Sequence, residues 1–217
     1  TVDSRPGDTV TYTVTAENTG TGDFTAANPA IVNDDLSQVL DDASYAGDAV
    51  ATIGGAAAGP ATVAAEVLSW EGPLAAGETV TITYSVVLGS NGDGEVRNVA
   101  WAGDGEAPGC AAPVDGLDPV TGVPCAETSF ALPRMTVDKA ADTLALPANG
   151  ATVTYTITVE NVGDGDYTAS APAVVTDDLT EVLDDATGPT GLAATVDGAP
   201  VAAPSFTSPE IVWSGPL

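Results

Sequence analysis

Apolar side chains alternate with threonine from near the start of the chain. Val10, Tyr12 and Val14 alternate with Thr9, Thr11, Thr13 and Thr15, and Val153, Tyr155, Ile157 and Val159 alternate with threonines in the same way. A period of two is the pattern of a β-strand with one face buried and one wet, and β-branched threonine suits the wet face. Val80, Ile82, Tyr84 and Val86 repeat it against Thr79, Thr81, Thr83 and Ser85. The stretch Ser90–Glu95 (SNGDGE) supplies residues that tolerate positive φ, which predicts a tight turn closing a hairpin with a strand over Val96–Trp101. Short strands between turn signals, with no convincing helical stretch, predict an all-β fold built from immunoglobulin-like antiparallel sandwiches.

The pattern occurs twice. Thr9–Leu74 aligns with Thr152–Leu217 without a gap, at an offset of 143 residues, and roughly half the aligned positions are identical. Both copies reach a Trp-x-Gly-Pro-Leu ending, at Trp70 and Trp213. Two tandem domains of one kind follow, 1–103 and 134–217, joined by a stiff Pro/Gly-rich linker over 104–133. The first copy continues past Leu74 through two more strands, whereas the second reaches Leu217 where their equivalents should begin. The second domain is therefore expected to lack its last strands, because the protein continues, because they are disordered or because a neighbouring chain donates them, in that order, and the chain to be a piece of something longer. Tryptophan reads as core filling rather than as a sugar-stacking platform. Cys110 and Cys125 bracket CAAPVDGLDPVTGVPC, whose length and turn content let the ends meet. A structural disulfide is predicted, and with it an oxidising compartment.

Charge narrows the function classes. Against 31 acidic residues stand four basic ones, Arg5, Arg97, Arg134 and Lys139, for a net charge of -27. Such a field repels nucleic acid and anionic lipid. The acids are spread among Thr, Ala and Gly, which makes a hydrated, self-repelling surface. There is no histidine, which removes Ser-His and Cys-His nucleophiles and His-ligated zinc. No carboxylate pair is marked as catalytic by its spacing, so an enzyme is not expected. No apolar run approaches the roughly 20 residues that cross a bilayer, and nothing resembling a signal peptide precedes Thr1.

With PGDTVTYTVTAENTG, then NDDL, GETVTITYSV and VRNVAW in that order, the chain resembles the bacterial "domain of unknown function 11" repeat family, in particular the acidic versions strung along actinobacterial surface proteins. The resemblance implies an immunoglobulin-like sandwich, export, and display at the cell wall in tandem arrays, with no enzyme activity. It also implies a chemistry. Several surface sandwiches of this kind carry a spontaneous amide bond between a lysine on the first strand and an asparagine on the last, assisted by a buried carboxyl.

Lys139, the chain's lone lysine, shares strand parity with Met135 and Val137, which aims it at the core. Burial disfavours an ammonium and keeps a carboxyl protonated, so a neutral amine could attack. Asp177 and its counterpart Asp34 have the parity for the acid, and Asn98 is the candidate amide on the last strand of the first domain. The first copy holds Asp34 and Asn98 but its lysine would precede Thr1; the second holds Lys139 and Asp177 but its asparagine would follow Leu217. A salt bridge is the plainer use of Lys139 in so acidic a chain.

Adjacent aspartates at Leu40–Asp42 and Leu183–Asp185, and the Asp115 and Asp118 loop, offer oxygen ligands to calcium without the spacing of an EF-hand; turns and surface charge explain them as well. No other cofactor is expected. The leading expectation is a spacer, stalk or fibre segment of a large extracellular bacterial surface protein, partnered by neighbouring repeats and by itself in fibres. The alternative is an adhesin module that grips a glycan or a host protein through loops such as Gly20–Phe24 and Ala46–Gly59. In either case the protein is expected to be secreted or at the cell surface, without membrane insertion or nucleic-acid binding.

Overall fold

Each alternating stretch contains a strand in the computed structural model, which describes residues 4–143 and 148–217; in the second copy the strand begins at Tyr155 rather than Val153. The chain divides into two units, Thr1–Leu132 and Pro133–Leu217. The first unit contains β1 (Thr9–Glu17), β2 (Ala30–Asp35), the single turn α1 (Ser37–Leu40), β3 (Ala43–Tyr45), β4 (Val50–Ile53), β5 (Ala56–Ala57), β6 (Ala61–Ala64), β7 (Val67–Gly72), β8 (Thr79–Leu88), β9 (Glu95–Ala102) and β10 (Cys125–Ala131). One sheet runs β1-β8-β4-β5, with β3 also on β8; the other runs β10-β9-β2-β7-β6, and all pairs are antiparallel. This is an immunoglobulin-like sandwich.

The predicted inward faces fill the space between the sheets. Val80, Ile82, Tyr84 and Val86 of β8 meet Val32, Leu68, Trp70 and Val96 of the second sheet in one core. Leu36 and Val39, on either side of the start of α1, are fully buried and plug one end. That helical turn is missing from the sequence reading, because four residues are too few to show a 3.6-residue period. Its local signal is Asp35, whose Oδ1 accepts the Ser37 amide at 2.9 Å.

Two expectations are corrected in this unit. Ser90–Glu95 does not close a hairpin: β8 and β9 lie in opposite sheets, so the connection crosses the end of the sandwich. Both strands bury a face in the same core, which adjacent strands of one sheet could do equally well; the alternation alone does not distinguish the two. The stretch 104–133 is not a linker. It lays β10 along β9 with seven paired residues, from Cys125↔Trp101 to Ala131↔Glu95, so the first unit extends to Leu132 rather than ending near 103. The reason lies in β9, where Val96, Asn98 and Ala100 face the core while Val99 and Trp101 point outward and need a cover. Cys110 and Cys125, joined as a disulfide, pack with Val99 and Trp101 in a second apolar cluster. Arg97 ties the segment down further, through Glu127 at 2.9 Å and the Gly109 carbonyl at 2.6 Å.

The second unit contains β11 (Met135–Ala141), β12 (Tyr155–Asn161), β13 (Ala173–Asp178), the turn α2 (Thr180–Leu183), β14 (Ala194–Val196), β15 (Ala199–Val201), β16 (Ser205–Thr207) and β17 (Glu210–Gly215). Its sheets are β11-β12, β13-β17-β16 and β14-β15. The repeat holds at the level of register: Asp177↔Ile211 in this unit matches Asp34↔Leu68 in the first. Among the described residues β12 pairs with β11 alone, whereas β1 pairs with β8.

The shared Trp-x-Gly ending has a steric cause. A Cβ at Gly72 would stand 2.6 Å from Trp70 Cζ2, and one at Gly215 would stand 2.6 Å from Trp213 Cζ2; each indole lies across its glycine. Gly72→Ala should destabilise the first unit by about 1–3 kcal/mol, and Gly215→Ala should do the same to the second. Thermal melts of the two variants check this, and unchanged melts would show that the indoles swing aside freely.

Candidate functional site

A buried carboxyl joins the two sheets of the first unit. Asp34 lies on β2 between inward-facing neighbours and is 0% exposed. An isolated carboxylate there would be costly, so it must collect donors. Tyr84 reaches across from β8 in the opposite sheet and donates its hydroxyl to Asp34 Oδ2 at 2.6 Å. Asn98, on the neighbouring strand β9, donates Nδ2 to Asp34 Oδ1 at 2.7 Å and lies 3.2 Å from the Tyr84 hydroxyl oxygen. The predicted pair Asp34 and Asn98 is thus brought together, and the structure adds Tyr84 to it.

Burial dominates the electrostatics. It pushes the Asp34 carboxyl up to about 6, with the Asp35 charge adding to the shift and the hydrogen bonds from Tyr84 and Asn98 opposing it. Burial raises the Tyr84 phenol too, reinforced by the charge of Asp34. Tyr12 stacks on Tyr84 with ring centroids 5.2 Å apart. Its phenol is pushed up to about 12, first by burial and then by Asp34, and its hydroxyl is buried without a hydrogen-bond partner.

In the second unit Lys139 of β11 donates Nζ to Asp177 Oδ1 of β13 at 2.6 Å, across from one sheet to the other. The ammonium also stands 4.9 Å from the centre of the Tyr155 ring, a cation–π distance. Asp177 and Tyr155 are the repeat equivalents of Asp34 and Tyr12. The expectation of a buried amine is corrected here: the Lys139 side chain is 35% exposed and the Asp177 side chain 12% exposed. The residues that seal Asp34 are Tyr84 and Asn98, whereas Asp177 is met by Lys139 as a partly exposed ion pair.

The two half-sites sit on equivalent aspartates of different units: Lys139 Nζ lies 2.6 Å from Asp177 Oδ1, and Asn98 Nδ2 lies 2.7 Å from Asp34 Oδ1. Tyr84 and Tyr12 went unremarked as site residues in the sequence, although strand parity already aims the Tyr84 hydroxyl into a core where it needs a partner. Asp118, a candidate calcium ligand, is instead saturated by protein donors: the amides of Cys110, Val120 and Thr121 and the Thr121 hydroxyl, at 2.7 to 3.1 Å. Asp115 sits at positive φ in the same disulfide-closed loop.

The chain matches the family described as domain of unknown function (DUF7927) over residues 2–129 and again over 134–217. The match is to an uncharacterised family, as the resemblance implies, under a name other than domain of unknown function 11. None of the curated proteins matches. Among solved structures, the chain is similar to the Corynebacterium diphtheriae major pilin SpaA, described as pointing to a modular pilus assembly with stabilising isopeptide bonds. The identity is 15% and the TM-score 0.39, over 62% of this chain and 36% of that one. Among the described residues no helix is long and apolar enough to cross a membrane.

The raised carboxyl makes stability depend on pH in a defined direction. The fold holds the Asp34 proton up to about pH 6, whereas an unfolded chain releases it near 3.8, so the native state binds more protons in between. The contribution of Asp34 is then fullest below about pH 4 and declines as pH rises through 6, by up to about 3 kcal/mol. The stability of the wild type relative to Asp34→Asn should fall by that order between pH 4 and pH 7 in denaturant melts. A difference that stays constant with pH would contradict the buried carboxyl.

Proposed function

We propose that this chain, which belongs to the DUF7927 family, is a non-enzymatic structural segment of an extracellular surface protein, a spacer or fibre element whose sandwiches lock themselves with a Lys–Asn amide bond. One observation carries the reading. At equivalent places in two copies of one fold, Lys139 lies 2.6 Å from Asp177 and Asn98 lies 2.7 Å from Asp34. A repeat that holds both residues sets an amine and a carboxamide against the same carboxyl.

The chemistry follows from burial. When the site is sealed, the ammonium and the carboxylate are both penalised, and the proton passes from Lys Nζ to Asp. The neutral amine attacks Cγ of the asparagine, while the protonated acid hydrogen-bonds the amide oxygen and stabilises the charge developing there. The new C–N bond forms, the acid relays the proton to the departing nitrogen, and ammonia leaves. No oxidant or cofactor is consumed. The bond ties a strand of one sheet to β9 of the other, so a pulling force would meet a covalent link before it could part the layers. Tandem repetition and a surface crowded with like charge suit an extended, soluble array.

The reaction can be reconstituted in the first unit. Joining a copy of Arg134–Thr143 directly ahead of Thr1 restores a lysine in the register of the repeat. Intact mass spectrometry should then show a loss of about 17 Da, the mass of the released ammonia. Asn98→Ala and Asp34→Ala in the same extended chain should each retain full mass. Full mass in the extended parent, with a raised melting temperature showing that the added strand has docked, would overturn the reading.

A further inference from the structure

At one end of the first sandwich, three carboxylates converge where α1 ends and the β8–β9 connection crosses between the sheets. One oxygen from each of Asp41, Asp42 and Asp93 lies within 4.8 Å of the other two. Oxygens bound to a calcium ion at about 2.4 Å are at most about that far apart. Clustered surface acids are common in so acidic a chain, and Asp41 and Asp93 are exposed. Asp42 is different. It is only 1% exposed, and its Oδ1 is buried with no hydrogen-bond partner. Unpaired carboxylate oxygens shut away from water are rare, because the lost hydration is not replaced.

The surroundings hold this oxygen in place rather than satisfy it. Asp42 Oδ2 accepts the Gly94 amide at 2.9 Å, and the Asp42 carbonyl accepts the Gly89 amide at 2.6 Å. The loop between them closes over the side chain at Gly92, which adopts φ +80°; a Cβ there would lie 2.5 Å from Asp42 Oδ1 and 2.7 Å from the Asp41 carbonyl oxygen. The orphaned oxygen and the Asp41 carbonyl oxygen thus both lie against Gly92.

We infer that Asp41, Asp42 and Asp93 form a calcium site that pins the end of α1 to the crossover between the sheets. The donor set selects the metal class. All the ligands are oxygen, the protein has no histidine, and both cysteines are in the disulfide, so soft and borderline metals find no ligands. An irregular set of carboxylate oxygens suits calcium, which tolerates flexible geometry, better than magnesium. The bound ion offsets the repulsion among three like charges.

The second unit provides an internal control. Asp184 and Asp185 are the repeat equivalents of Asp41 and Asp42. Asp185 is exposed, and among the described residues no third carboxylate joins the pair. One calcium per chain is expected.

Titration of the chelator-treated whole chain with calcium chloride at physiological salt, by calorimetry and by thermal melting, tests the site. One ion should bind with Kd on the order of 10⁻⁴ to 10⁻³ M, as in extracellular calcium modules, and raise the melting temperature of the first unit. Asp93→Asn, an exposed position, should weaken binding by about tenfold or more yet leave the chelated protein at least as stable, since it removes a repelling charge. Asp184→Asn should bind as the wild type does. Absence of a calcium-dependent shift in the wild type, or equal weakening by Asp93→Asn and Asp184→Asn, as diffuse counter-ion binding would give, overturns the site.

Discussion

A carboxyl group sealed between two β-sheets has to be answered by donors on both sides, and much of the first unit is arranged to do so. Asp34 draws the Tyr84 hydroxyl from one sheet and the Asn98 amide from a neighbouring strand of its own. Remove either donor and a buried oxygen loses its partner, which costs more than the hydrogen bond itself contributes. The polar cluster thereby fixes which residues of β8 and β9 stand over β2, a constraint that apolar packing alone imposes only loosely. The aromatic stack of Tyr12 on Tyr84 extends the cluster back to β1.

The second unit displays the equivalent carboxyl in a wetter setting and with a different partner. Asp177 meets Lys139 as a partly exposed ion pair, whereas burial pushes the Asp34 carboxyl, roofed by Tyr84 and Asn98, up to about 6. The locking chemistry proposed for a whole repeat needs both halves of this behaviour: a lysine drawn to the carboxylate while the site is open, and loss of the ion pair when the site is sealed.

Much of this was legible in the residues themselves. Alternation with threonine located β1, β8 and β12 and the inward faces of the first two, and the repeat offset paired Asp34 with Asp177. Parity also placed Asn98 inward beside Asp34. Other features were hidden for physical reasons. A period of two says which face of a strand is buried but not which sheet it joins, so β8 and β9 read as a hairpin. The segment around the disulfide looked like a linker because prolines and glycines obscure its strand. The outward Val99 and Trp101, on a strand whose other face was already committed to the core, were the sign that something must cover them. Lys139 has the alternation of a core residue, yet exposure depends on the strands laid over it, which no local pattern reports. The orphaned oxygen of Asp42 likewise arises from long-range closure by the loop at Gly92, and the adjacent aspartates alone gave little hint of it.

The proposed locking chemistry depends on the state of one side chain. Carbon-13 NMR titration of the Asp34 carboxyl in the intact chain, assigned by its disappearance in Asp34→Asn, measures that state directly. A midpoint near 6, well separated from the ordinary carboxylates, is what burial between the sheets requires. A midpoint at or below 3.8, the ordinary aspartate value, would mean that water or a stronger donor reaches the group, and the acid on which the proposed chemistry depends would not exist.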